Sequence, residues 1–212
     1  MQNLVLLRHG ESNKNLKDKH GGPGEPLTEK GKQEIINASK MINEIKALKS
    51  AIIYYSERQQ LIETVNFLCP LINGIAKADN RILPLGLGIL DGLSNEEAMR
   101  KFPYTAKLMN EWREGKIEIC DLIIPKAESL QNFWNRGKNF LSEIIAEESF
   151  PIIVGTRSIL TLLISILLKR GIMRGGGYKS ITIPPGGMLT FSKKGSNFSL
   201  LDEYCNYKID GV

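Results

Sequence analysis

Two hydrophobic periodicities alternate along this chain and predict strands separated by helices. Short, uninterrupted apolar runs such as Leu4–Leu7 are typical of buried strands. Between these runs, apolar residues recur every three or four positions, which indicates helices, and Thr28 can cap the first of them. The predicted strands are 4–7, 51–56, 81–85, 150–156 and a pair within 180–195. The first predicted helix starts after Thr28, and the others cover 60–68, 94–102, 130–145 and 158–168.

The alternation predicts an α/β fold: a three-layer sandwich with a mostly parallel central sheet and helices on both faces. Residues 1–212 show no internal repeat or linker, so we expect a single domain. Ligands of such sheets bind beyond the carboxyl ends of the strands. Arg8-His9 and Gly155-Thr156-Arg157 lie at the ends of two predicted strands. We therefore expect Thr156 to lie beside His9.

Composition narrows the range of partners. The chain has 28 basic and 23 acidic residues, a net charge of +5, which suits an anionic ligand and is too mild to indicate nucleic acid. The apolar segment 158–168 is too short for a membrane span, and the N-terminus has no secretion signal. Cys69, Cys120 and Cys205 are scattered, which favours reduced thiols, a cytoplasmic location and no metal site.

The first predicted strand ends on Arg8, His9 and Gly10. A neutral histidine can attack phosphorus and form a reactive phosphohistidine, while an adjacent arginine binds phosphoryl oxygens through two parallel hydrogen bonds. The glycine allows a close approach of the backbone. On these residues alone, a hydrogen-bonded loop histidine is an equally good interpretation of His9.

Four segments in order extend this pattern. "LVLLRHGESNKN" and "PLTEKGKQEI" resemble the opening of the histidine phosphatase superfamily, also called phosphoglycerate mutase-like, and "LGILDGLSNEEAMRKFP" and "PKAESLQNFWNRGKNFL" are similar to its later motifs. The resemblance implies a phosphatase or phosphotransferase with His9 as nucleophile and Arg8 as phosphate ligand. It also implies that Asn15 contacts phosphate, although Asn15 could equally be a polar loop residue.

Three core positions depart from the family pattern. Gln60 stands where the resemblance implies a second arginine, Pro84 where it implies an acid, and Thr156 where it implies a second histidine. The chain therefore resembles a divergent member that lacks several core catalytic residues. Single losses of this kind cost on the order of a hundredfold in rate, so we expect weak or altered catalysis.

Other residues could replace the missing groups. Arg58 and Arg157 lie close in sequence to Gln60 and Thr156, and Glu128 or Asp91 could act as an acid. Solvated or ion-paired arginines and a turn aspartate are the alternatives. The predicted site has no metal or cofactor and comprises the catalytic residues His9, Arg8 and Glu128 and the substrate-binding residues Asn15, Arg58, Gln60, Thr156 and Arg157.

Three functional hypotheses remain open at this point. The first is a weak phosphomonoesterase or phosphotransferase that acts on a phosphorylated small molecule or another anion. The second is a non-catalytic module that binds a phosphorylated ligand or a protein. The third is different chemistry on the same fold, because a fold does not fix a function. The sequence predicts no nucleic acid or membrane partner and leaves the oligomeric state open, with a homodimer as one alternative.

Overall fold

A six-stranded sheet forms the middle of the protein. The computed structural model describes residues 3–45, 51–146, 150–171, 181, 183–195 and 197–207. Within these residues the strand order is β3-β2-β4-β1-β5-β6. The strands are β1 (Asn3–Arg8), β2 (Ala51–Tyr55), β3 (Ile75–Ala78), β4 (Phe150–Gly155), β5 (Met188–Lys194) and β6 (Asn197–Leu200).

The four strands from β3 to β1 run parallel, and β5 and β6 add antiparallel pairs at one side. Because β1 is paired with β4 on one side and β5 on the other, its backbone is fully inside the sheet. The predicted mostly parallel sheet is confirmed.

Helices cover the sheet and connect its strands. In the described part of the chain, none of them is long and apolar enough to cross a bilayer. The helices are α1 (Asn13–Leu16), α2 (Glu29–Ile45), α3 (Gln59–Ile72), α4 (Asn95–Lys101), α5 (Pro103–Arg113), α6 (Leu130–Ile144) and α7 (Arg157–Leu167).

The core lies on both faces of the sheet, as the alternation of side chains along β1 requires. Leu4 and Leu6 pack with the apolar sides of α4 to α7, while Val5 and Leu7 pack with those of α2 and α3. All four side chains are buried. The predicted three-layer sandwich with helices on both faces is confirmed.

The third strand and the final strand pair lie elsewhere than predicted. The third strand is Ile75–Ala78, whose four residues are all exposed, so it lacks the apolar run of a buried strand. The predicted strand 81–85 begins instead with a 3₁₀ turn, Asn80–Ile82. The final strand pair is β5 with β6. Residues 184–187, which lie within the predicted pair, form a turn closed by a hydrogen bond from Gly187 N–H to Pro184 O. Residues 180 and 182 of the predicted pair lie outside the described residues.

A close contact between two glycines places the loop after β1 on the first turn of α2. A Cβ added to Gly10 would lie 2.3 Å from the carbonyl oxygen of Gly31, and one added to Gly31 would lie 2.1 Å from the carbonyl oxygen of Glu11. The carboxylate of Glu34 also accepts a hydrogen bond from Glu11 N–H at 2.8 Å. Gly10 is therefore required for backbone packing against α2.

This contact yields a stability prediction. We expect Gly10→Ala to lower the free energy of unfolding by about 1–3 kcal/mol, because the new methyl group would overlap a backbone oxygen. Gly171→Ala is the matched control, since a Cβ there meets no atom within 4 Å. Urea unfolding followed by circular dichroism measures both values. Equal stability of the two variants would contradict the close contact.

Candidate active site

His9 is held at the carboxyl end of β1 by backbone hydrogen bonds on both sides. Its N–H donates to the carbonyl oxygen of Gly155 at 3.2 Å, and its carbonyl oxygen accepts from Gly186 N–H at 3.1 Å. Because Arg8 is in register with Gly155, Thr156 follows at the end of the neighbouring strand. The predicted proximity of Thr156 to His9 is confirmed.

The ring of His9 is buried, oriented and neutral. Nδ1 lies 2.8 Å from the carbonyl oxygen of Gly10, an atom that can only accept, so Nδ1 carries the hydrogen and Nε2 carries the lone pair. Burial and, after it, the charge of Arg8 lower the pKa of His9 to about 3. At neutral pH the ring is therefore in the form that can act as a nucleophile.

A cavity of about 340 Å³ opens at this end of the sheet. Its walls come from the ends of β1 and β4, from the segment around α1, from α5 and from the first turn of α7. It brings together six of the eight predicted site residues, namely Arg8, His9, Asn15, Gln60, Thr156 and Arg157.

Arg8 and Asn15 are both held in place at the cavity. Arg8 Nη1 donates to the carbonyl oxygen of Ile183 at 2.6 Å, which fixes the guanidinium. Asn15 Oδ1 accepts from the N–H and the hydroxyl of Ser12, at 3.0 and 2.9 Å. Since its oxygen is occupied by these donors, Asn15 would meet an anion with its Nδ2 hydrogens.

The three departures from the family pattern place neutral groups in the cavity wall. The side chain of Gln60 is buried, and its Oε1 has no hydrogen-bond partner among the described residues. Thr156 Oγ1 lies 3.3 Å from the hydroxyl of Ser158. Pro84 has no titratable group, and its carbonyl oxygen accepts from Arg136 at 2.9 Å.

Positive character also comes from the start of α7. Thr156 occupies the N-cap position of this eleven-residue helix, and Thr156, Arg157 and Ser158 all line the cavity. The first N–H groups of a helix and its dipole favour an anion nearby. The Arg157 guanidinium lies 6.0 Å from the ring centroid of Trp112, which positions it at the wall.

Glu128 is placed differently from the prediction of a catalytic acid. Its two carboxylate oxygens accept from Arg136 at 2.7 and 2.8 Å, and it is not among the residues that line the cavity in the described part of the chain. The guanidinium of Arg136 also donates to the carbonyl oxygens of Arg81 and Leu83. This ion pair is therefore built into the packing of the loop that carries Pro84.

Arg58 and Asp91 lie close to the cavity without lining it. Arg58 occupies the N-cap position of α3. Burial and, after it, the charge of Arg58 lower the pKa of Lys14, which does line the cavity. Asp91 accepts a hydrogen bond from Leu87 N–H at 3.1 Å and follows a 3₁₀ turn. The turn role considered for Asp91 agrees with this position.

Several cavity residues were not predicted from the sequence. His20 is buried, and its Nδ1 accepts from Arg113 at 3.0 Å, while Arg113 also pairs with Asp18 at 2.9 Å. Burial is the main cause that lowers the pKa of His20. Trp112 and Arg113 lie at the end of α5, a helix that the apolar spacing of its sequence could have predicted. Lys14 directly precedes the predicted site residue Asn15.

The described residues contain no group of three or more His, Cys, Asp and Glu side chains that could hold a metal ion. Among the described residues, the cavity is lined by five cationic side chains, Arg8, Lys14, Lys19, Arg113 and Arg157, and by one carboxylate, Asp18, which pairs with Arg113. This arrangement suits a phosphoryl group or another oxyanion bound beside His9.

The neutral state of His9 yields a prediction on the pH dependence of stability. The unfolded chain binds a proton at His9 below about pH 6.5, whereas the folded protein does so only near pH 3. The stability that depends on a neutral His9 is thus fully present above pH 6.5 and is lost as the pH falls toward 3. When the pH falls from 7 to 5, we expect the free energy of unfolding to drop by about 2 kcal/mol less in His9→Asn than in the unsubstituted protein. Parallel urea unfolding curves at the two pH values measure the difference, and equal losses would be incompatible with a buried neutral His9.

The Glu128–Arg136 pair yields a second prediction. We expect Glu128→Gln to lower the free energy of unfolding by about 1–3 kcal/mol, because Arg136 loses its charged acceptor. Vanadate affinity should change less than about twofold, since Glu128 does not line the cavity. Glu143→Gln is the control: Glu143 pairs with Arg81 in an exposed position, so the loss of stability should be much smaller. Unchanged stability with lost vanadate binding would instead assign Glu128 to the ligand.

Similar proteins support the family assignment. Phosphoserine phosphatase 1 of Hydrogenobacter thermophilus is 28% identical over 145 residues, which are 68% of this chain and 64% of the relative. A 2,3-bisphosphoglycerate-dependent phosphoglycerate mutase of Bartonella henselae is 31% identical over 140 residues, or 61% of each chain. The chain therefore spans less than two thirds of the length of these curated relatives.

A solved structure agrees on the fold. The mycobacterial glucosyl-3-phosphoglycerate phosphatase complexed with VO3 is 20% identical and has a TM-score of 0.76, with 95% of this chain and 98% of that chain covered. Residues 4–185 match the model of the histidine phosphatase superfamily (branch 1). This match covers every cavity-lining residue, and the chain belongs to the histidine phosphatase superfamily.

Proposed function

We propose that the protein is a slow phosphomonoesterase or phosphotransferase of the histidine phosphatase type, with His9 as the phosphohistidine nucleophile. One observation carries the proposal: the Nδ1–Gly10 hydrogen bond, together with a pKa of about 3, leaves Nε2 of His9 with its lone pair at the wall of a cationic cavity. A structural histidine would not require the positive groups around it.

The reaction would proceed in two displacements. Nε2 of His9 attacks phosphorus, the bond from phosphorus to the ester oxygen breaks, and that oxygen takes up a proton. Water, or another hydroxyl group in a phosphotransferase, then attacks the phosphorus. The P–N bond breaks, the attacking oxygen loses its proton, and the electron pair returns to Nε2. The Gly10 carbonyl oxygen would hold Nδ1–H throughout and stabilise the positive ring of the intermediate.

Arg8, the Nδ2 group of Asn15 and the start of α7 are the groups that we assign to phosphoryl binding. Arg157 and the hydroxyl of Thr156 would add donors on the side of β4. Pro84 has no proton to give to a leaving group, and Thr156 and Gln60 contribute no charge. Hydrolysis should therefore be slowest for esters whose leaving group needs protonation.

The substrate class follows from the relatives and from the cavity. The similar proteins are a phosphoserine phosphatase, a phosphoglycerate mutase and a glucosyl-3-phosphoglycerate phosphatase by name. We propose a phosphorylated small molecule, which a cavity of about 340 Å³ can accommodate. We further propose that residues 1–212 form one domain and that it acts in the cytoplasm, where Cys69, Cys120 and Cys205, all free thiols, would stay reduced.

A non-catalytic, phospho-ligand-binding protein is the second candidate. The neutral side chains of Gln60, Pro84 and Thr156 favour this candidate, because they cannot assist turnover, whereas the basic residues of the cavity could still bind a phosphorylated ligand. The two candidates differ in a single measurable step, the transfer of the phosphoryl group to His9.

Phosphate release from a generic aryl phosphate and an alkyl phosphate tests the proposal. We expect slow release, with the aryl ester faster by about a hundredfold or more because its leaving group needs little protonation. His9→Ala should reduce release from the aryl ester by at least about a hundredfold. Release that is unaffected by His9→Ala would refute the nucleophile, and phosphate binding without release would favour the second candidate. Circular dichroism should show that the variant is folded.

A further inference from the structure

We infer that the ammonium group of Lys14 supplies the second cation of the phosphoryl site, in place of the charge that Gln60 cannot provide. The phosphoryl group would then be bound between Arg8 and Lys14. This inference rests on the proposed function only in taking a phosphoryl group as the ligand, and its test does not require turnover.

Lys14 is located where such a cation is needed. It belongs to the short helix α1, next to Asn15, and its side chain lines the same cavity as Arg8 and His9. Burial is the main cause that lowers the pKa of His9, the charge of Arg8 comes next, and the charge of Lys14 makes a smaller contribution in the same direction. The sequence alone does not indicate this role, because a lysine in a polar segment is usually exposed to solvent.

Within the described part of the chain, the ammonium group of Lys14 lacks a counterion. Its neighbours Lys17 and Lys19 both pair with Glu25, at 2.7 and 2.8 Å. Among the described residues, by contrast, Lys14 has no ion pair within 4.0 Å and no hydrogen bond from its ammonium group. An ammonium group that is partly removed from water without an acceptor is unfavourable, and a bound oxyanion would relieve this cost.

The charged groups around Lys14 support the same conclusion. Burial is the main cause that lowers its pKa, and Arg58 and Arg113 lower it further. The carboxylates of Asp91 and Glu25 act in the opposite direction, but both have other partners: Asp91 accepts from Leu87 N–H, and Glu25 holds the two lysines. The local charge is therefore positive and available to an anion.

Two of the other cations of the cavity are held in ion pairs. Arg113 pairs with Asp18 and donates to His20, and Lys19 is bound to Glu25. Arg157 lies 6.0 Å from the ring centroid of Trp112, and its N–H donors serve the β4 side of the site. Lys14 is thus the basic side chain on the α1 side of the cavity that a phosphoryl oxygen can reach without breaking an ion pair or hydrogen bond observed in the described residues. Its three N–H donors on a flexible stem can follow the phosphoryl group during transfer.

Anion affinity tests the inference directly. Calorimetry of the full chain with orthovanadate and with inorganic phosphate compares Lys14→Met with Lys17→Met, a control that removes the same charge from an exposed, Glu25-bound position three residues away. We expect Lys14→Met to weaken binding by about 10- to 100-fold, the effect of losing a hydrogen bond to a charged group, and Lys17→Met by less than about twofold. Equal losses in both variants, or no loss in Lys14→Met, would overturn the inference.

A rescue experiment tests the link to position 60. Introducing Gln60→Arg into the Lys14→Met variant should restore most of the lost affinity, whereas in the unsubstituted protein it should add much less, because one cation already serves the site. Purely additive effects would show that the two positions act independently and would overturn the inference. If Gln60→Arg does not fold, Lys14→Arg decides: retained affinity supports a cation role, and a loss equal to that of Lys14→Met refutes it.

The outcomes separate this inference from the proposed function. If His9→Ala leaves phosphate release unchanged, the nucleophile is wrong, and the anion affinities of the Lys14 variants still report on the cation. If Lys14→Met binds vanadate as well as the unsubstituted protein does, the cation is wrong while a His9-dependent release of phosphate still stands.

Discussion

The parallel pairing of β1 with β4 is the constraint on which the site depends. It puts the carbonyl oxygen of Gly155 opposite the N–H of His9, and one residue later the chain turns into α7 at Thr156. The same edge of the sheet thus presents a histidine ring and the positive end of a helix. The turn at Gly186 then fixes His9 from its other side. These contacts on both sides of His9 are made by backbone atoms.

Burial and charge act together in the cavity. Removing His9 from water keeps its ring neutral, while Arg8 and Lys14 add a positive field that further disfavours its protonation. A neutral nucleophile beside cations is the combination that an incoming phosphoryl dianion needs. The neutral side chains of Gln60, Pro84 and Thr156 add no charge to the cavity wall, so the positive field there comes from the basic residues.

The ion pair between Glu128 and Arg136 explains the shape of one wall. Arg136 donates to Glu128 and to the carbonyl oxygens of Arg81, Leu83 and Pro84. These carbonyl groups belong to the 3₁₀ turn at Asn80–Ile82 and the loop that follows it, so the guanidinium holds the backbone of this segment. The same interaction that removes Glu128 from the cavity lining therefore fixes Pro84 within it.

The sequence by itself determined the layers of the fold and the family. The apolar runs of β1, β2 and β4 and the periodicity of the main helices are local patterns, and the ordered motifs indicate the histidine phosphatase superfamily and predict His9 and Arg8 as the centre of the site. Only the tertiary structure decided which other residues reach that centre. Glu128 lies within a matching motif but is drawn to Arg136, whereas Lys14, in the short helix α1, lines the cavity with no ion pair within 4.0 Å among the described residues. The physical reason is that burial, counterions and neighbouring strands are set by residues far apart in sequence, and no local pattern records them.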